Sequence, residues 1–370
     1  MITKLTKWRR QLHQIPELGL EEVKTTLYLF ETLKQMGYVP EPLPGLTTGC
    51  YVFIDHHCQQ TIAFRSDIDG LPIEEETDVS FASHHKGFMH ACGHDGHMAM
   101  LLGLAEALKT KTVLHNNILL LFQPAEESPG AAKIIAASDL FERFKVKAVY
   151  GLHLMPMIDE GLLCSKPGPL MAECGELNVI IHGQSTHAGT PHQGIDSILI
   201  ASDLIQRYQA ITSRRLSPYD AAVIHIGTIH GGDVRNSMAN QVTMTGTVRC
   251  YSDQVFRDIV SMMTQINQGL EMTYGCRIEL DLEPMYPPLI NDDRLYQKTC
   301  QATDLTLLKE PLMLAEDFAF YGQVVPSLFT FLGTKGQYTS GLHTGSFNFD
   351  ESVLIHGVRY YLSIIESEET

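Results

Sequence analysis

Two rhythms of apolar positions run along the chain. Short continuous apolar runs at 61–65 (TIAFR), 118–122 (ILLLF), 148–154 (AVYGLHL) and 328–332 (LFTFL) have the length and composition of strands buried on both faces. Between them, helical spacing predicts helices over 3–14, 21–36, 98–108 and 131–138, the second closed by Gly37. Strands alternating with helices predict an α/β domain with a mostly parallel sheet. The middle of the chain is different. Strand-like runs at 176–182, 221–229, 241–250 and 276–282 surround helices at 195–211 and 252–273, the first with Ile198, Ala201, Leu204, Ile205 and Tyr208 on one face. That order is β-α-β-β-α-β, the split-βαβ or ferredoxin-like pattern. The expected organisation is one domain over 1–172 and 283–370, interrupted by an inserted domain over 173–282.

Charge and composition narrow the functions open to such a chain. With 27 Lys+Arg against 43 Asp+Glu the formal charge is −16, the wrong sign for gripping a phosphate backbone, so no nucleic-acid partner is expected. No apolar run reaches the ~18–20 residues of a membrane span, and the basic N-terminal stretch lacks the apolar core of a signal peptide. No membrane partner and a cytoplasmic location are expected. Eight Cys in 370 residues, with no CxxC pair, argue for free thiols and against a disulfide scaffold.

The chemistry concentrates where strand-like runs end. TIAFR leads into Ser66-Asp67-Ile68-Asp69, ILLLF into Gln123-Pro124-Ala125-Glu126-Glu127, AVYGLHL carries His153, and LFTFL precedes a Gly-rich loop with His343. Open α/β sheets build their sites at the carboxyl ends of strands, where such scattered residues converge. The densest segment, His90-Ala91-Cys92-Gly93-His94-Asp95-Gly96-His97, offers a thiol, three imidazoles and a carboxylate, the usual donors for zinc. Of the paired Glu126-Glu127, one carboxylate can bind metal while its neighbour serves as general base. Each has a plainer reading: a His-rich loop capping the helix from 98, an acidic helix start, a packed strand-end histidine. Their joint occurrence at several strand ends is hard to attribute to packing. A Cys92/His97 thiol hydrolase is a rival, as is a non-catalytic metal- or peptide-binding module. No P-loop, GxGxxG, HExxH or GxSxG is present.

RSDIDGLPI (65–73), MHACGHDGHM (89–98), FQPAEE (122–127), GLH (151–153) and GLHTGSFNFDE (341–351) resemble, in order and over nearly the whole chain, the dinuclear aminoacylase/carboxypeptidase family of metallopeptidases, in its amidohydrolase branch where Cys replaces the bridging carboxylate. Ser185–Gly189 (STHAG), Asn236 and Arg249 match that family's lid, or dimerisation, domain. The resemblance implies that Cys92, His94, Glu127, His153 and His343 bind two divalent metal ions, Zn²⁺ or Mn²⁺, with Cys92 bridging. It further implies Glu126 as general base, His187 reaching a neighbouring subunit's site to stabilise the oxyanion, and Asn236 and Arg249 holding the substrate carboxylate. A homodimer through the lid and a small N-acyl-L-amino acid substrate follow, with a broad N-acyl-amino-acid or hippurate-type aminoacylase as the alternative. His94 needs a partner to fix its tautomer, and Asp67 or Asp95 is expected to supply it.

Overall fold

The computed structural model describes residues 1–111 and 114–367. The chain divides into two compact units: Met1–Leu170 with Ile290–Pro311 and Glu316 onwards, and Met171–Leu289 with Leu312–Ala315. The short return of 312–315 to the second unit has no counterpart in the sequence pattern.

The first unit is built on a seven-stranded sheet in the order Cys50–Ile54, Asn117–Gln123, Thr61–Asp67, Val146–Asp159, Ser327–Lys335, Leu163–Ser165, Leu305–Leu307. The four strands from Asn117–Gln123 to Ser327–Lys335 are mutually parallel, while Cys50–Ile54 and Leu163–Ser165 run antiparallel to their inner neighbours. Thr61–Asp67 and Asn117–Gln123 are buried along their whole length, which explains their unbroken apolar character. Register sets Asp67 level with Gln123, and His153 level with Phe331. Carboxylate, amide and imidazole therefore emerge at one edge of the sheet.

The helix His94–Leu108 begins four residues before the predicted 98, so His94 and His97 lie in its first turn. Gly93, at φ 85°, makes the left-handed turn that starts it, a conformation glycine alone adopts without steric cost. Thirteen of its fifteen residues are buried, so it shows no amphipathic edge from which the sequence could fix its start. Helices Asp293–Ala302 and Leu354–Ser367 were not evident from the pattern.

The second unit pairs Arg277–Tyr286, Glu173–His182, Gln241–Cys250 and Ala222–Gly231, in that order, as an antiparallel sheet. Helices Ser197–Ala210 and Asp253–Tyr274 contribute Ile200, Leu204, Ile259 and Met263 to a core shared with Leu177, Val179, Met244 and Val248 of the sheet. Each helix has a side-chain cap at its start, Asp196 accepting from Ile198 and Leu199 and Ser252 from Gln254. Among the described residues no helix is long and apolar enough to cross a membrane.

Candidate metal centre

Five donors separated by up to 251 positions, Cys92 to His343, meet at the strand ends of the first unit. Ligand atoms of Cys92, His94 and His153 lie within 4.8 Å of one another, and so do those of Cys92, Glu127 and His343. Cys92 belongs to both groups. Its Sγ is 3.4 Å from His153 Nε2, and His343 Nε2 is 3.1 Å from Glu127 Oε1. A third group joins His94, Glu126 and Glu127.

Backbone and carboxylate partners aim these donors. His153 Nδ1 donates to the Leu154 carbonyl at 2.6 Å, which leaves Nε2 as the lone-pair nitrogen facing Cys92. His94 Nδ1 faces both the Asp69 carbonyl, at 3.0 Å, and Asp69 Oδ1, at 3.1 Å. Its Nε2 is buried without a hydrogen-bond partner. The orienting carboxylate is thus Asp69 and not the expected Asp67 or Asp95. Asp67 instead accepts from His97 Nδ1 at 2.7 Å and from Arg65 at 2.9 Å. Asp95 faces away, toward Arg9 and His13. The second oxygen of Asp69 accepts the Glu127 N–H at 2.9 Å, so one carboxylate orients two donors. Only the turn after the strand brings Asp69 under His94, and the sequence carries no local sign of it.

His97 is fully engaged. Its Nδ1 pairs with Asp67 and its Nε2 accepts the Leu154 N–H at 2.9 Å. It has no nitrogen left to activate Cys92, which removes the thiol-hydrolase pairing.

The electrostatics call for cations. Asp67, Asp69, Glu126, Glu316 and Asp317 are all buried, and the guanidinium nearest them is Arg65, which bonds Asp67, Asp317 and Gln123 and lies 3.0 Å from Glu316. Burial, reinforced by Glu316, Glu127 and Asp317, pushes the Glu126 carboxyl well above the usual range. His94 is driven the other way to its burial: Asp67 and Asp69 overcome desolvation and raise it to about 10. Burial and the glutamates also push the Cys92 thiol well up. Buried charge of this size is costly without cations beside it, and His94 Nε2, which makes no hydrogen bond, lies 4.0 Å from Glu126 Oε2. The thiolate, imidazole and carboxylate set suits Zn²⁺ or Mn²⁺. The residues fit a metal pair.

In the second unit, His187 and Asn236 come together: Ala188 N donates to the Asn236 carbonyl at 3.0 Å and His187 pairs with Ser237 in an isolated bridge. His187 is exposed, and its Nδ1 accepts the Gly189 N–H at 3.0 Å, leaving the proton on Nε2. Arg249 lies at the other end of the strand Gln241–Cys250, about 26 Å from Gln241 at the usual rise per residue, and donates to the Met313 carbonyl. Asn236 and Arg249 are not neighbours within one chain.

A mostly parallel sheet with thiol, imidazole and carboxylate groups gathered at its strand ends suits a metal-dependent hydrolase, and its relatives make the chain an amidohydrolase. The chain belongs to peptidase family M20/M25/M40, whose model matches residues 63–367. It is 35% identical over 350 residues, 94% of each protein, to N-acetyldiaminopimelate deacetylase of Exiguobacterium sibiricum, and 34% identical over 374 residues, the full length of both, to that of Listeria monocytogenes. The YXEP protein of Bacillus subtilis, described as a dinuclear metal-binding peptidase of the M20 family, superposes with a TM-score of 0.88 at 30% identity, over 100% of this chain and 98% of that one.

Proposed function

We propose that this amidohydrolase uses two divalent cations to remove the acyl group from an N-acyl-L-amino acid, with N-acetyl-L,L-diaminopimelate as preferred substrate. One observation carries the reading: two groups of ligand atoms share Cys92, one completed by His94 and His153, the other by Glu127 and His343. Divalent ions held there would supply Lewis acidity, lowering the pKa of water to about 7 and polarising an amide carbonyl.

The remaining work belongs to the chain. Glu126 takes the nucleophile's proton on its carboxylate and returns it to the leaving nitrogen. Burial, then Glu316, raise its proton affinity, which suits a group that holds that proton between the two transfers. His187 presents an N–H at Nε2 because Gly189 occupies Nδ1, the form needed to hydrogen-bond a developing oxyanion. Asn236 and Arg249 hold the substrate carboxylate. Their separation within one chain favours contributions from different protomers, and hence a homodimer. The strand order of the second unit, fourth-first-third-second in chain order, supports a ferredoxin-like inserted lid.

The substrate rests on the names of the deacetylase relatives and on 73–85 (IEEETDVSFASHH), 124–135 (PAEESPGAAKII) and 217–232 (SPYDAAVIHIGTIHGG), which resemble that group. The test is turnover of N-acetyl-L,L-diaminopimelate, hippurate and N-acetylmethionine by metal-reconstituted protein. Preference for the first is expected. Preference for hippurate would replace the substrate with that of a broad aminoacylase and leave the reaction unchanged.

A further inference from the structure

The family match starts at residue 63, yet the donor loops rest on the segment before it. The Glu17 carbonyl accepts the Gly70 N–H at 2.7 Å, just after Asp69. His13 Nδ1 meets Asp95 at 2.8 Å, just after His94. Gly19 lies so close to the turn at 125–128 that an added Cβ would fall 2.9 Å from Ala125 Cβ and overlap the Ser128 carbonyl oxygen.

Glu22 is the centre of this contact. It stands at the N-cap of the helix Val23–Gln35 but makes no side-chain cap to it. Glu17 does that instead, accepting from Thr25 N at 2.9 Å and Thr25 Oγ1 at 3.1 Å. The Glu22 side chain is free to cross to another loop. It is 0% exposed, and it accepts the Ala125 N–H at 2.8 Å on Oε1 and the Thr48 hydroxyl at 2.8 Å on Oε2. Ala125 has φ 53°, the left-handed region that a residue with a Cβ rarely enters unaided. The next two residues are Glu126 and Glu127. Without Glu22, a buried N–H would be unpaired in the one turn that sets both glutamates.

We propose that Glu22 is a positioning residue: by accepting the Ala125 N–H it holds the left-handed turn that aims Glu126 and Glu127 into the metal centre. This rests on the reading of Glu127 as a ligand. Glu22 touches neither substrate nor cation and acts through the backbone.

The experiment compares metal-free wild type, Glu22→Gln and Glu22→Leu in titrations with Co²⁺, read by calorimetry and by thiolate-to-cobalt absorption, which reports the Cys92 environment directly. Both substitutions nearly fill the original volume. Glutamine keeps an acceptor for Ala125 and turns its amide toward Thr48, whereas leucine removes the acceptor. Loss of an outer partner of a ligand commonly costs about 10–100-fold in metal affinity, so that loss and a changed absorption band are expected for E22L, with E22Q within about twofold of wild type. Wild-type binding by E22L overturns the proposal. So does an E22Q loss equal to that of E22L, because charge rather than the accepted hydrogen bond would then matter. If E22L is not recovered folded, Glu22→Met, which also lacks an acceptor for Ala125 but adapts more readily to the site, takes its place under the same criterion. Glu127→Ala separates the premise: if it still binds two cobalt ions, the assignment of Glu127 is at fault and not the role of Glu22.

Discussion

The two units hold their candidate residues in opposite ways. In the first, three of the five donors are clamped from behind: His94 by Asp69, His153 by the Leu154 carbonyl, Glu127 through its amide by Asp69 again. Cys92 is buried, and His343 alone of the five is exposed, tied down by its backbone N–H to the Ala91 carbonyl. In the second, His187 and Asn236 sit exposed on paired loops, with only backbone contacts between them. A cation needs several ligands fixed at once to within fractions of an ångström, and burial with doubled partners achieves that. An oxyanion donor acts only when substrate is in place, so an exposed imidazole with one fixed tautomer suffices. Rigidity is concentrated where the charge is permanent.

The comparison can be broken most severely by removing what the clamped donors hold. Dialysis against a chelator should abolish turnover, and Zn²⁺ or Mn²⁺ should restore it, measured as deacylation rate against added metal. Glu126→Gln should lower kcat by about 10²–10⁴-fold while elemental analysis finds the metal content unchanged. An active E126Q enzyme would end the general-base assignment. His187→Ala should cost about 10²–10³-fold in kcat, also at full metal content, because loss of one oxyanion donor is felt in the transition state alone. Asp69→Asn keeps the shape but turns an amide toward one of its two partners. It should weaken metal affinity about 10–100-fold, seen by competition with a chromophoric chelator. If H187A lost metal, or D69N did not, the contrast between the units would fail.

The smallest effect tests burial in the second unit. Glu173 is raised to about 7, first by burial and then by Asp253, and its Oε2 has no hydrogen-bond partner. A carboxyl with a raised folded-state pKa contributes stability below its ordinary pKa near 4.3 and loses it as pH rises through 7. Glu173→Gln should therefore raise the thermal midpoint at pH 8 and leave it nearly unchanged at pH 4, by differential scanning fluorimetry.

The sequence made the parallel strands and the donor set legible because both leave strong local marks: unbroken apolar runs, and metal-binding residue types at their ends. The strand at 241–250 has the predicted bounds, since alternation there reflects one face packed on helices. What stayed hidden is what depends on the chain's return. Asp67 and Asp69 are two residues apart and chemically alike, and only the turn after the strand decides that the second orients His94. Glu316 and Asp317 enter beside Glu126 from 190 and 191 positions away. The start of the helix at His94 is masked because its first twelve residues are all buried, and nothing in the predicted helix over 3–14 marks Arg9 and His13, both of which are buried against Asp95.

The thiol shared by the two donor groups has one more consequence. Electrophiles and oxidants attack thiolates, not thiols, and Cys92 is buried, with burial and the neighbouring glutamates pushing its thiol well up. On the proposed reading, a freshly made copy would meet its ions with this thiol shielded from alkylation and oxidation, and ligation there would release a proton.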